Sequence, residues 1–246
     1  MKPSILVFRT SCMAFLIFPW LAMAKPVDAI SLREVDRSLN LPKGVAQEQL
    51  IWSVATYSPD STLKTEEQSN QGYFPSLPNF SLTDRLEWLG CPAPLFQYLL
   101  LGSPRALDST SVGREFQLAI GGGLSAIAYS QRDGWQILSD AFLRAKIPWT
   151  RRFWGLADAG LRIENRHLYS TSLAAGLGIQ WSNRLYSISK YQYVQFLVLD
   201  WPYYQDWSQE VGVHFNSMLS LSFTGHWIQN PHANTTQLGS VISFQW

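Results

Sequence analysis

Charged side chains and histidines recur at alternate positions in the C-terminal half of the sequence, and they are its best candidates for chemistry. They are Asp140, Arg144, Asp158, Arg162, Glu164, Glu210, His214 and His226. Three arrangements could use such a set: a charge network that fills an interior, a pocket for a ligand, or the lining of a water-filled pore. All three require a fold that turns the set toward one enclosed space.

The same residues do not form a recognisable catalytic centre. A serine hydrolase needs a nucleophile, a base and a third group that orients the base. His214 and Ser217 are three positions apart, which puts them on opposite faces of a strand. His214, His226 and Glu210 lack the spacing of a zinc site. We therefore predict no catalytic residue, no metal and no cofactor.

Three glycines at 121–123 could suggest a phosphate-binding loop. No helix pattern and no Lys-Ser or Lys-Thr pair follows them, so this reading fails. We interpret the glycines as positions of curvature or close packing in a strand.

The elements that would position the charged set are strands, because apolar and polar residues alternate from residue 114 onward with a period of two. Within 134–149 the odd positions are mostly apolar and have a Trp at each end, while the even positions carry Asp140, Arg144 and Lys146. Neighbouring residues of a strand point to opposite faces. The same separation recurs in 153–166, 168–181, 207–216, 218–229 and 237–246.

Turn-forming residues between these segments predict antiparallel hairpins. Counting from 73–82, the sequence predicts ten strands, with eight or twelve as alternatives. The segment 49–58 is a candidate extra strand, and Pro92 and Pro94 interrupt 85–101, which we interpret as one kinked or bulged strand. The segment 184–199 keeps no clean face, which indicates a bulge.

Aromatic residues bracket the apolar face and are typical of the two edges of a membrane. They are Trp135, Trp149, Tyr169, Trp181, Trp227 and Trp246. The first two are fourteen residues apart and the next two are twelve apart. At about 3.3 Å per residue and a tilt near 45°, such pairs span roughly 28–33 Å, close to the ~25 Å apolar band of a membrane barrel.

This spacing predicts an all-β fold, an antiparallel up-and-down transmembrane barrel with a polar interior. The alternative is a soluble exported β-sandwich, in which the same apolar face would be buried as a core.

The N-terminal residues have the pattern of an export signal. Lys2 and Arg9 precede an apolar stretch that ends in Ala22-Met23-Ala24, the small-x-small motif of signal peptidase sites. We predict a signal peptide over 1–24, a periplasmic lead-in and loop over 25–72, and the barrel over 73–246. Cleavage removes two of the 19 basic residues and none of the 18 acidic ones, which leaves a net charge of −1. A chain so near neutrality argues against a nucleic-acid partner.

The chain ends on Leu238-Gly-Ser-Val-Ile-Ser-Phe-Gln-Trp246, which resembles the C-terminal signal of Gram-negative outer-membrane β-barrel proteins. The stretch Phe80-Ser-Leu-Thr-Asp-Arg-Leu-Glu87 resembles a hairpin of small barrels of this class, with Ser81 where the pattern has Gly. The resemblance implies residence in the outer membrane, contact with its lipid and lipopolysaccharide, and insertion by the barrel-assembly machinery through the C-terminal strand.

For function, the resemblance implies a structural role or a receptor or transport role for a small ligand. An outer-membrane enzyme acting on lipid or an envelope polymer is the alternative. Because a narrow barrel has little room beyond its own side chains, the inward charged set is interpreted first as a filling network. A ligand site is the second interpretation.

Overall fold

The computed structural model describes residues 31–59, 69–75, 79–83, 85–89, 95–102, 115–128, 135–164, 167–197, 203–231 and 233–245. The strands are β1 (Ala46–Pro59), β2 (Ser69–Pro75), β3 (Asn79–Ser81), β4 (Leu86–Leu89), β5 (Leu95–Leu101), β6 (Gln117–Ala128), β7 (Trp135–Pro148), β8 (Phe153–Glu164), β9 (His167–Gln180), β10 (Leu185–Phe196), β11 (Tyr203–His214), β12 (Leu219–Gln229) and β13 (Ala233–Gln245). One 3-10 turn, Glu34–Asp36, precedes them. These residues contain no helix long and apolar enough to cross a membrane.

The strands form one antiparallel sheet that closes on itself. Each strand from β3 to β12 pairs with the next, and β13 pairs with β1 from Gln47 opposite Gln245 to Pro59 opposite Ala233. β2 and β3 pair with successive parts of β1 and so occupy one position in the wall. The result is a barrel of twelve strands, the larger alternative to the predicted ten.

Two local features account for the difference in strand count. The candidate segment 49–58 belongs to β1, a full strand of the barrel. The stretch 85–101, predicted as one kinked strand, is the hairpin of β4 and β5, in which Glu87 opposes Gln97. That prediction was wrong, because β4 ends at Leu89 and β5 begins at Leu95, so that the stretch contains two strands. Residues 90–94 are outside the described ranges.

Polar residues of the strands face the interior, and apolar residues face outward. Leu173 of β9 and Trp181 directly after it are 64% and 59% exposed, whereas Ser170 and Gln180 of β9 are buried. A β-sandwich has the opposite arrangement, with its apolar face packed as the core. The sandwich alternative is therefore wrong for this chain.

Three large aromatic side chains inside the barrel each lie over a glycine of the neighbouring strand. The pairs, directly opposite in register, are Phe142 with Gly121, Trp154 with Gly178, and Tyr186 with Gly212. A Cβ at any of these glycines would overlap the ring of its partner. At Gly121 this confirms the prediction of close packing, and the three rings narrow the lumen.

Strand β10 pairs without interruption with β9 and β11, so the bulge predicted in 184–199 is absent from Leu185–Phe196. Its outer face carries hydroxyls that neighbouring strands satisfy: Ser187 accepts from Trp181 Nε1 at 2.9 Å, and Ser189 donates to Gln209. The polar outer residues, not an irregular strand, obscured the alternation. Register shifts occur at Leu99/Leu101 and at Arg162/Ile163.

Residues 31–45, called here the plug, lie inside the barrel at the end where β1 begins and β13 ends. We call this the near end and the opposite one the far end. Gly44 has a φ of 78°, in the left-handed region that favours glycine, and its N–H donates to the carbonyl of Ser81 at 3.1 Å. This turn joins the plug to β1.

Candidate ligand passage

Side chains of the barrel wall hold the main chain of the plug. The bonds run from Val35 N–H to Gln180 Oε1 (3.2 Å), from Leu39 N–H to Gln117 Oε1 (2.8 Å) and from Leu41 N–H to Glu87 Oε2 (3.0 Å). Gln97 Nε2 donates to the carbonyl of Leu39 at 2.9 Å and to Asn40 Oδ1 at 2.7 Å. Residues of β4, β5, β6 and β9 thus satisfy the plug, as buried polar groups require.

Lys146 of β7 binds the plug at its 3-10 turn. Its Nζ donates to the carbonyl oxygens of Glu34 at 2.6 Å and Arg37 at 2.7 Å. Cationic side chains bind the last carbonyls of a helical turn favourably. The same Nζ lies 5.6 Å from the ring centroid of Trp154. Because Lys146 is buried, these contacts are its compensation for leaving water.

Glu34 of the plug binds His214 of β11, with 3.1 Å between Glu34 Oε2 and His214 Nε2. Burial alone raises the pKa of Glu34, but the hydrogen bond with His214 and the positive charges of Arg37 and Lys146 lower it from 4.5 to about 2. Glu34 is therefore a carboxylate at neutral pH, and its charge favours the docked plug.

The plug also has an apolar anchor. Val35 packs in a buried cluster with Trp154 and Tyr186, and Leu156 and Ile188 pack against that cluster. Trp154 is 1% exposed although it faces the lumen. The plug thus fills the near half of the lumen on the side of β8 and β10.

A cavity of about 430 Å³ remains between the plug and the wall, where β11, β12, β13 and β1 contribute many of the lining residues and β4, β5, β7 and β10 others. We call it the near cavity. Its wall is lined mainly by small or neutral polar side chains: Gln47, Ser220, Ser222, Thr224, Ser243 and Gln245. His214 Nδ1 and Gln245 Oε1 are buried and have no hydrogen-bond partner among the described residues. Because ordered water ordinarily satisfies such atoms, we interpret the near cavity as hydrated.

A second cavity, of about 350 Å³, lies in the far half of the lumen, and we call it the far cavity. Asp140 accepts from Arg162 through Oδ1 to Nε (2.7 Å) and Oδ2 to Nη2 (3.4 Å). Asp158 forms an ion pair with Lys190 and lies 3.7 Å from Arg144 Nε. Five charged side chains therefore surround one space.

Arg144 lines both cavities. Its Nη1 donates to Gln97 Oε1 at 3.1 Å, and its guanidinium carbon lies 4.6 Å from the ring centroid of Phe142. Gln97, Phe142 and Asp158 together fix this side chain at the division between the two cavities. Arg144 is the one described residue that lines both of these cavities.

The structure divides the predicted charged set into separate groups. The far cavity is lined by Asp140, Arg144, Asp158 and Arg162, and the near cavity by Glu210 and His214. Glu210 accepts from the Tyr186 hydroxyl at 2.8 Å. His226 lies apart from both groups and bonds to Asp206 through Nδ1, at 3.0 Å. The side chain of Glu164 is outside the described part of the chain.

The predicted interface aromatics have several environments. Trp149 and Trp181 are exposed on the outer surface at the near end, and Trp227 is exposed toward the far end of β12. Tyr169 lies at the register shift between β8 and β9, where its ring packs against Phe196 at 5.7 Å. The side chains of Trp135 and Trp246 fall outside what the structure describes.

Sequence reasoning missed several residues of the lumen: Glu34, Glu87, Gln97, Lys190 and Asp206. Glu34 belongs to a segment without periodicity, and Glu87 and Gln97 to the stretch interpreted as one strand. Lys190 lies in the segment that keeps no clean face, and the register, in which it opposes Gly176 on the polar face of β9, is what places it inward.

Neither histidine is part of a hydrolytic arrangement that the described residues reveal. Ser208 opposes His226 in register, but its hydroxyl donates to the carbonyl of Lys190 at 3.4 Å. Within the described ranges, no group of three or more His, Cys, Asp or Glu side chains could hold a metal ion.

No protein-family model and no curated protein matches the sequence. Among solved structures, the COG4313 outer membrane channel from Pseudomonas putida F1 matches with a TM-score of 0.55 and 10% identity, over 91% of this chain and 100% of that chain. The CymD monoaromatic hydrocarbon channel (TM-score 0.49) and the KdgM porin (0.48) are each 7% identical, over 83% and 78% of this chain and 88% and 97% of theirs. These neighbours are channels and porins, and the first of them shows that this chain has the fold of an outer-membrane barrel.

Proposed function

We propose that the protein is an outer-membrane channel for small polar solutes, narrowed by its own plug. The observation that carries the proposal is the pair of polar cavities that share Arg144 and occupy successive halves of the lumen. The near cavity lies beside the plug, so a solute has space to reach the near end along the wall of β12, β13 and β1.

The dimensions of the lumen limit the solute. Open aqueous pores belong to barrels of 16–18 strands, whereas narrow barrels are largely filled by side chains. Here the plug, Trp154 and Tyr186 occupy part of a twelve-stranded interior. Cavities of 350 and 430 Å³ suit small molecules, not polymers.

The outer surface supports the proposed location. Leu173, Phe223 and Leu238 are each at least 60% exposed in the middle of their strands, as expected of side chains that contact lipid and the acyl chains of lipopolysaccharide. We further propose that the assembly machinery binds β13, whose pairing with β1 closes the barrel. The near end would then face the periplasm.

Solute uptake by liposomes tests the channel. Purified protein would be compared with a variant that lacks residues 25–43, and an unboiled gel sample would show that each barrel is folded. We expect liposomes with the intact protein to swell in a pentose but not in a tetrasaccharide. The variant without the plug should swell faster in the pentose. If folded, inserted protein of both kinds gives no swelling in the pentose, the barrel is not a channel.

A further inference from the structure

Among the described side chains that line it, the far cavity carries an excess of positive charge. Three positively charged side chains line it, Arg144, Arg162 and Lys190, and two negatively charged ones, Asp140 and Asp158. A network that only filled the lumen is expected to balance its charges, because an uncompensated charge away from bulk water is costly. Among the side chains that the structure describes around the far cavity, one cation is therefore in excess, which leaves room for an anion's charge.

The cations retain donors that their partners do not use. Arg162 bonds Asp140 through Nε and Nη2, which leaves part of its five-donor guanidinium available. The side chains of Arg144, Arg162 and Lys190 are 42%, 47% and 32% exposed. All three face inward, so this exposure is to the lumen and not to lipid.

The remaining lining suits a molecule with one polar end. Ser170, Ser172 and Gln192 offer neutral hydrogen-bonding groups, while Phe142 and Val194 provide apolar surface. A carboxylate could bond to the cations and neutral donors together, and a short hydrocarbon part could lie against the apolar residues. A small cation would instead have to displace an existing partner of Asp140 or Asp158.

We infer that the far cavity binds a small monocarboxylate, held by Arg144, Arg162 and Lys190, before the solute passes Arg144 into the near cavity. The inference rests on the proposed channel function and names its class of solute. Carboxylate recognition here depends on the excess cation, not on any one ion pair.

Lys190 provides the most direct variant. In Lys190→Gln each carboxylate keeps one cation, since Arg162 remains with Asp140 and Arg144 with Asp158. The excess charge is gone. In the double variant Asp158→Asn with Lys190→Gln, Arg144 and Arg162 face Asp140 alone, so the excess of one positive charge returns. Arg184→Gln, in an exposed turn at the near end, is the matched control.

Calorimetric titration of butyrate into the detergent-solubilised protein measures the site without requiring transport. Butylammonium and butanol are probes of similar size. We expect butyrate to bind in preference to both. Lys190→Gln should weaken its binding about tenfold, because the cavity loses its excess positive charge, and the double variant should recover most of the affinity, because the excess returns. Arg184→Gln should bind butyrate as the parent protein does.

Equal binding of butylammonium or butanol by the unaltered protein would overturn the inference and requires no variant. Unchanged butyrate affinity in folded Lys190→Gln, or no recovery in the folded double variant, would also overturn it. If butyrate binds but the liposomes do not swell, the carboxylate site is supported and the channel function is refuted. If the liposomes swell but the protein does not prefer butyrate, the channel function is supported and the carboxylate site is refuted.

Discussion

At the scale of single residues, Lys146 is a central link between wall and plug. Lys146→Met keeps a long, unbranched side chain but removes both hydrogen bonds to the carbonyls of Glu34 and Arg37. Each bond to a charged donor contributes about 1.5–3 kcal/mol, so we expect the plug to leave the lumen more often. Conductance in planar bilayers should rise in Lys146→Met. Lys43→Met, at an exposed position next to the turn of Gly44, should leave it unchanged.

Glu34 makes docking of the plug dependent on pH. Its pKa is about 2 in the folded protein and 4.5 ordinarily, so its contribution is fully present above about pH 4.5 and is lost as the pH falls toward 2. A spin label on Ser38→Cys, with Cys91 changed to Ser, should become more mobile across that interval. Glu34→Gln should remove this pH dependence. If the label is equally mobile at pH 5 and pH 2 in the labelled protein that retains Glu34, the carboxylate does not hold the plug.

The residue types and their alternation along each strand were sufficient to place Asp140, Arg144, Asp158 and Arg162 on the inner face. They were not sufficient to pair them. Asp158 could have met Arg144 or Lys190 and meets both, because partners depend on the register of three neighbouring strands. The partner of His214 was beyond reach for a different reason: Glu34 is 180 positions away in a segment with no period.

At the scale of elements, aromatic rings over glycines join neighbouring strands. Gly178→Ala would place a methyl group in the ring of Trp154, so β8 and β9 must separate or Trp154 must move from Val35. Overpacking of this kind costs about 1–3 kcal/mol, which should lower the midpoint of urea unfolding. Gly225→Ala is the control, because a Cβ there meets only Leu238, at 3.6 Å. Equal midpoints for the two variants would contradict the packing argument.

The strands from β6 onward could be predicted because lipid outside and water inside impose opposite preferences on alternate residues. The plug could not be predicted from its sequence, because wall side chains bind its main-chain N–H and C=O groups, and these groups are present whatever the side chains are. The hairpin of β4 and β5 was missed for a third reason. Its strands have four and seven residues, too few for the pattern to distinguish two short strands from one kinked strand.

At the scale of the whole molecule, the apolar exterior fixes where the barrel is stable. Leu173 is exposed in the middle of β9, where an arginine would face the centre of the bilayer. Leu173→Arg should destabilise the folded barrel in lipid by about 2–4 kcal/mol. Asn183→Arg, in the turn after β9, should have no such effect. Urea unfolding in lipid vesicles measures both, and equal stability would show that β9 does not contact lipid.

Closure determines the strand number at this same scale. The predicted barrel began at residue 73, but β13 requires a partner on its second edge, and β1 is that partner over thirteen residue pairs. An unpaired edge in a membrane would leave backbone groups without hydrogen bonds. This requirement could have favoured an even count that includes 49–58.

Recognition of the plug through its main chain has an evolutionary consequence. Gln117, Gln180 and Glu87 accept from backbone N–H groups that most substitutions would leave in place. Relatives should therefore vary freely in most plug side chains while retaining these three wall residues and Lys146. Insertions and deletions between Val35 and Leu41 should be rare, because one residue more or fewer would move every later amide away from its acceptor. Selection would then act on the length of this segment more than on its composition.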